Sequence, residues 1–422
     1  MSINKIGKNL STGGSIGLLV FMAWGSLILL GLFLSVHSRG IQKTQNELQE
    51  RWPNVILLWE KEGYINQGGL WFSKPPNEDS SQAAISPYGM GFLQTTHLLE
   101  RIQIWLNGSF SYKLLAFHNQ LIPMLSSALL GFLAMRLTLS LKIRPVHAFV
   151  LGLGAQSMYQ TFPGNLWFIW EVYPPTLGVL FMALFLTCEV SNDCYEPKSN
   201  VLQLLRKLSV FCMVYVEWVG ALCFFSVYCF MCSYFSPRKR SMRVELGRIS
   251  LPLLLAFVMV FGQLIWAKIS YPEIDLIGNS AGVQIGLNKS FLQVKELAMP
   301  LKKRYDPLLP SWNILMIAGL LSTFVVMTLV QKKKKNYNYL IFLATGIGFY
   351  ALFLLLNPES FILPEAYQGY LAFTLILALF ALLPGWLETF NKNSGIFVLL
   401  SFVIAFCWSC IQLRNYSIYY PL

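Results

Sequence analysis

The sequence predicts an all-α, polytopic transmembrane helix bundle of about eleven spans. Three observations carry that expectation. Of 422 residues, 55% are hydrophobic and only 12% charged, against roughly 25% charged in an average soluble domain. Mean hydropathy is +0.53. Apolar runs recur along the whole chain, most of them near the ~20 residues that a bilayer crossing requires. Too little polar surface remains to coat a soluble globule, so a soluble enzyme and a disordered chain are both excluded. The chain reads as one transmembrane domain, 1–422, with two large extracytoplasmic segments, 38–113 and 272–310.

The elements follow in order. Lys5 and Lys8 precede an apolar run from Gly14 to Val36. That run is too long for a signal-peptide core and has no small-residue cleavage site after it, so it reads as a first span with a cytoplasmic N-terminus. The polar segment 38–113 contains an amphipathic stretch, Phe92–Leu106, with Leu98, Leu99, Ile102 and Trp105 at helical spacing. Such a helix suits the bilayer surface. Further runs cover 115–140, 147–161, 167–188, 206–235, 249–271, 311–331, 338–357, 367–386 and 395–413.

The run 206–235 is long and has Glu217 near its middle. Read as one helix, it would place the basic loop Arg238–Arg248 and the cluster Lys332–Lys335 on the outer side, against the positive-inside rule. It would also bury a carboxylate in mid-bilayer, at ~2.5–3.5 kcal/mol on the insertion scale. A turn near Glu217–Gly220 removes both conflicts and puts Glu217 at the outer face, in reach of water. With that split the inner segments hold the Lys/Arg excess, and the outer ones mix acids and bases nearly evenly. The net charge of +12 then reports orientation and not a nucleic-acid partner.

Cys229-x-x-Cys232 and Cys407-x-x-Cys410 match a redox or metal spacing. Both lie inside apolar runs without His or acidic neighbours, so they read as small buried hydrophobes. Cys188 and Cys194 flank a polar loop and are expected as free thiols. His37, His97, His118 and His147 are scattered, and no zinc-hydrolase motif, phosphate loop or Gly-rich nucleotide fingerprint is present.

Acids near membrane depth are costly and tend to carry a function or a specific partner. Here they fall on one predicted side. Glu60 and Glu62 lie in Trp59-Glu60-Lys61-Glu62-Gly63-Tyr64, Glu171 in Trp170-Glu171-Val172-Tyr173, Glu217 in Tyr215-Val216-Glu217-Trp218, and Glu365 in Pro364-Glu365-Ala366-Tyr367-Gln368-Gly369-Tyr370. Carboxylates accept hydroxyl hydrogen bonds and aromatic rings stack on C–H faces, which are the materials of a carbohydrate site. Tyr and Trp also anchor membrane interfaces, so the convergence carries the reading and no single residue does. Expected substrate-binding residues are Lys61, Tyr64, Glu171, Tyr173, Glu217, Trp218, Glu365, Tyr367 and Tyr370.

This arrangement resembles the polytopic GT-C glycosyltransferases, the group that includes protein O-mannosyltransferases and aminoarabinose transferases. Glu62-Gly63-Tyr64 is similar to the end of that family's acidic motif in the first outer loop. Ser86-Pro87-Tyr88-Gly89 stands where the family often has His-Pro-Pro. Tyr215–Gly220 resembles its short-helix break, and Glu365-x-Tyr367 its late His-x-Tyr motif. The similarity in layout covers about 1–390.

The resemblance implies inverting transfer of a sugar from a polyprenyl-phosphate donor to an extracytoplasmic glycan, lipid or protein acceptor. The modest loops and the lack of a paired-cysteine framework point to a bacterial inner membrane instead of an ER membrane. The family's leading Asp aligns with Lys61, which cannot act as a base while protonated. Glu62, or else Glu60, then serves as general base. Glu60-x-Glu62 is also a carboxylate pair that suits a hard divalent cation, with no third ligand identified. The leaving phosphate calls for cations. Lys302, Lys303 and Arg304, with Lys295, are candidates; an interfacial basic helix on lipid headgroups is an equal reading, and Lys61 is a third. Two other functions compete: a transporter or flippase of lipid-linked glycans, and a non-catalytic relative that binds glycan.

Overall fold

The computed structural model describes residues 98, 101–109, 112–140, 143–162, 165, 174–194, 200–235, 242–270, 315, 317–325, 337–356, 364–382 and 395–419. The expected first span, most of segment 38–113 and the whole of 272–310 lie outside them. The described residues are all-α, without strands. The helices are α1 (Tyr112–Ser140), α2 (Pro145–Gln160), α3 (Pro174–Cys194), α4 (Asn200–Val216), α5 (Trp218–Phe235), α6 (Met242–Ser270), α7 (Tyr337–Leu356), α8 (Pro364–Ile376) and α9 (Gly395–Tyr419).

Local sequence explains several boundaries. Pro145, Pro174 and Pro364 open α2, α3 and α8, where a fixed φ helps and the missing N–H has no intrahelical partner anyway. A π-turn at Leu377–Leu382 continues α8. The amphipathic stretch is helical over 101–107, with Leu98, Ile102, Trp105 and Leu106 exposed along one face. It ends at Gly108 (φ +70), whose N–H bonds the Ile104 carbonyl at 2.8 Å. Glycine takes that left-handed closing position without strain.

The run 206–235 does reverse at Glu217, the one residue between α4 and α5. The Arg206 guanidinium on α4 pairs with Glu189 of α3 at 2.6 Å, and the Tyr228 hydroxyl on α5 donates to the same carboxylate at 2.8 Å. A single straight helix would hold Arg206 and Tyr228 about 33 Å apart, so the two legs must fold back on α3. The sixth helix then returns alongside the fourth: Arg206 Nη2 donates to the Arg248 carbonyl at 3.4 Å, and Gln263 Nε2 to the Tyr215 hydroxyl at 2.9 Å.

The other helices alternate in the same way. Phe349 and Tyr370 are in ring contact at 4.9 Å, and a Cβ on Gly346 would overlap Thr374, so α7 and α8 are antiparallel. Gly154 faces Ala405, and Ser157 bonds Ser409, so α2 and α9 run parallel. The bundle therefore has two ends, named here by Glu217 and Glu189. Arg136, Arg144, Arg206, Lys207, Arg243 and Arg248 lie toward the Glu189 end, whereas Lys268 and Arg414 lie toward the other.

Leu121–Leu139, Leu246–Trp266 and Gly395–Arg414 are each long and apolar enough to cross a membrane. The first is 89% buried among its neighbours, but the other two are only 22% buried. Leu254, Val258 and Phe261 on α6, and Leu399, Ile404 and Phe406 on α9, point away from the protein. Exposed apolar faces of this extent belong in lipid, not water. The chain is a membrane protein built of apolar helices.

Close packing at the helix reversal gives a simple test. A Cβ at Gly178 on α3 would overlap both the Tyr370 hydroxyl and the Glu217 carboxylate. Gly178→Ala is expected to lower stability by about 1–3 kcal/mol in thermal unfolding of the detergent-solubilised protein. Gly247→Ala, with open space around it, is the control and should be neutral or stabilising. Equal melting of the two variants would contradict this packing.

Candidate functional site

Glu217 owes its position to the one-residue break. Its N–H still donates to the Met213 carbonyl and its C=O accepts from Ala221 N–H, both at 2.9 Å. The backbone is thus satisfied while the chain turns. The carboxylate sits at the start of α5, where the helix dipole favours negative charge. Gly220 makes room for it: a Cβ there would come within 2.8 Å of Glu217 Oε1.

The side chain is directed into the bundle and is only 4% exposed. This differs from the expected contact with water. The acid is kept inside by a partner, since the Tyr370 hydroxyl of α8 donates a short hydrogen bond to Oε2. The other oxygen, Oε1, is buried with no hydrogen-bond partner among the described residues. Phe349 packs against the edge of the Tyr370 ring. Beside them Tyr159 donates to the Gly369 carbonyl at 3.3 Å, and Asn165 Nδ2 donates to the Tyr159 carbonyl at 2.6 Å. The result is an acid and neutral polar groups among aromatic rings at one end of the bundle.

Of the sequence-predicted site residues, the structure joins Glu217 to Tyr370, 153 positions apart in the chain. Trp218 follows directly and is half-buried. Glu365 and Tyr367 lie on α8 upstream of Tyr370. Glu60, Lys61, Glu62, Tyr64, Glu171, Tyr173, Lys302, Lys303 and Arg304 lie outside the described residues. Among the described residues no group of three or more His, Cys, Asp or Glu could hold a metal. None of Cys188, Cys229, Cys232, Cys407 and Cys410 is in a disulfide; the first three are buried, whereas Cys407 and Cys410, expected as buried, are exposed on the outward face of α9.

Two polar clusters were missed by sequence reasoning. One is the Glu189 node: besides Arg206 and Tyr228, Arg248 Nη2 lies 3.8 Å from the carboxylate, and the Arg206 guanidinium stacks over Phe185 at 6.0 Å. Its signal was an acid ending one apolar run and an Arg-Lys pair opening the next. The other lies between α2 and α9. Ser157 and Ser409 are 2.9 Å apart, and Thr161 donates to Ser409 at 3.0 Å. Gln412, one turn further along α9, is buried. Polar residues spaced four apart in apolar runs were the available signal.

No family model matches the chain, and no curated protein matches it. The functional reading therefore rests on the residues and their arrangement.

Proposed function

We propose that this chain is a multi-pass glycosyltransferase of the GT-C type. It has about eleven spans and a cytoplasmic N-terminus, lies in a bacterial inner membrane, and moves a sugar from a polyprenyl-phosphate donor to an extracytoplasmic glycan, lipid or protein acceptor. The observation that supports it is the Glu217–Tyr370 pair. A helix broken at a single residue carries a carboxylate into a bundle end rich in amides, hydroxyls and rings, with one oxygen left free for a donor among the described residues. Most described arginines and lysines gather at the opposite end, which the positive-inside rule assigns to the cytoplasm. The Glu217 end then faces outward, toward the segment holding Glu60 and Glu62.

The chemistry is a displacement at the anomeric carbon. The acceptor hydroxyl attacks it, Glu62 takes the hydroxyl proton, and the bond to phosphate breaks with its electrons on the leaving polyprenyl phosphate. Lys302, Lys303 and Arg304 are the proposed cations for that charge. Glu217 Oε1 accepts a sugar hydroxyl while Tyr370 holds the carboxylate in place.

The protein reconstituted in nanodiscs should consume a synthetic polyprenyl-phosphate sugar. Glu217→Gln keeps the size of the side chain and weakens the acceptor, so it should raise KM for the donor by about tenfold, the equivalent of one charged hydrogen bond. An unchanged KM in a folded Glu217→Gln protein would remove Glu217 from the site. One observation favours a transporter instead: a buried acid at a broken helix is a common transporter feature. In that case the donor crosses the bilayer intact, and the assay finds no cleavage.

A further inference from the structure

The seam between α2 and α9 holds more polar chemistry than helix packing requires. Its backbone approach is close, because Gly154 faces Ala405 where a Cβ would sit at 3.6 Å. Such small-residue contacts and hydroxyl bonds are enough to join two helices in lipid. Ser157, Thr161 and Ser409 supply those bonds and satisfy one another.

Gln412 does not share in this. It is 1% exposed, and neither its amide oxygen nor its amide nitrogen has a partner among the described residues. The indole nitrogen of Trp408, one turn back on α9, is also buried without one among those residues. Burying an amide unpaired costs free energy, and an α9 otherwise apolar toward lipid gains nothing from carrying it. The parallel register sets Gln412 near the level of Thr161, at the same bundle end as Tyr159, Tyr370 and Glu217.

We propose that this end of the α2–α9 seam is a second hydroxyl-binding site, in which Gln412 and Trp408 take a neutral polyhydroxylated group such as a sugar. An amide offers one acceptor and two donors, and the indole adds a donor. That set matches hydroxyls, which both give and accept. A phosphate would call for cations, yet Arg414, the nearest on α9, is two residues on and exposed on another face of the helix. The inference rests on the glycosyltransferase reading for the identity of the ligand, and on Gln412 alone for the existence of the site.

The test uses the full chain in nanodiscs and two photoreactive probes that share an octyl chain with a diazirine beside the headgroup. One probe bears glucose and the other tetraethylene glycol. The glucoside should label the peptides around 156–161 and 405–414 in preference to the glycol. Gln412→Met, similar in length but without the amide, should reduce that labelling by about tenfold, the loss expected for one hydrogen-bonded group. Glu217→Gln should leave it intact. Should Gln412→Met not give monodisperse protein, Trp408→Phe, which removes the indole N–H of the same site, takes its place with the same expectation. Equal labelling by the two probes, or undiminished labelling in the variant, overturns the site and leaves Gln412 to buried water. Equal loss in Glu217→Gln also overturns it, since the probe would then be reporting the Glu217 site. Failure of donor consumption with the labelling intact would instead count against the glycosyltransferase reading alone.

Discussion

Replacing Glu189 with alanine is expected to destabilise the protein by about 3–5 kcal/mol, the cost of leaving a buried charge unpaired. Three groups from three helices meet on this carboxylate: Arg206 at 2.6 Å, Tyr228 at 2.8 Å and Arg248 at 3.8 Å. The Arg206–Glu189 pair is nearly closed to solvent, at 8% and 5% side-chain exposure. Without Glu189 the guanidinium of Arg206 remains in the bundle with no counter-charge, and the two legs of the α4–α5 hairpin lose their common tie to α3. Glu189→Met together with Arg206→Met should recover most of the loss, because an apolar pair of similar volume often replaces a buried ion pair without penalty. Tyr228→Phe removes one neutral donor to a charged acceptor and should cost less, about 1.5–3 kcal/mol. Unfolding by denaturing detergent in mixed micelles measures all three. A loss below ~1 kcal/mol for Glu189→Ala, typical of exposed pairs, would contradict the buried node.

The second large effect concerns the proposed base. Glu62→Gln should lower turnover of the polyprenyl-phosphate sugar by about 10²–10⁴, the usual contribution of a general base, with folding and membrane level unchanged. Glutamine keeps the shape and the acceptor oxygen but cannot take the hydroxyl proton. Glu60→Gln made in parallel decides between the two carboxylates of Glu60-Lys61-Glu62. Lys61→Ala should have a smaller effect, since a protonated lysine supplies charge and no base. Normal turnover in both glutamine variants would remove the general base from this segment. Absence of turnover in the wild type as well would favour a chain that binds glycan without processing it.

Much of the fold was legible in the sequence because bilayer crossing is a strong constraint. Nine apolar runs beyond the first were expected, and described helix overlaps each of them, with three of the described helices long and apolar enough to cross a membrane. The reversal at Glu217 was legible for a further reason. Two separate penalties, a misplaced basic loop and a mid-bilayer carboxylate, both disappear with one turn, and the hairpin closing on Glu189 is that turn. The surroundings of the acid were not legible. Glu217 and Tyr370 were both expected at the site, but hydropathy does not reveal that the two bond directly, because a tyrosine near the interface also reads as an anchor. The Glu189–Arg206 pair was hidden because charges at span ends are ordinary, and pairing depends on which helices become neighbours. Gln412 was hidden because one amide in an apolar run does not show whether it is paired.

The most direct measurement is the profile of lipid-linked and surface glycans in cells with and without the gene. Loss of the gene should remove one sugar from the finished glycan and cause its polyprenyl-phosphate donor to accumulate. Wild type should restore both, whereas Glu62→Gln at equal membrane level should not. Identical profiles in all four strains would contradict the account.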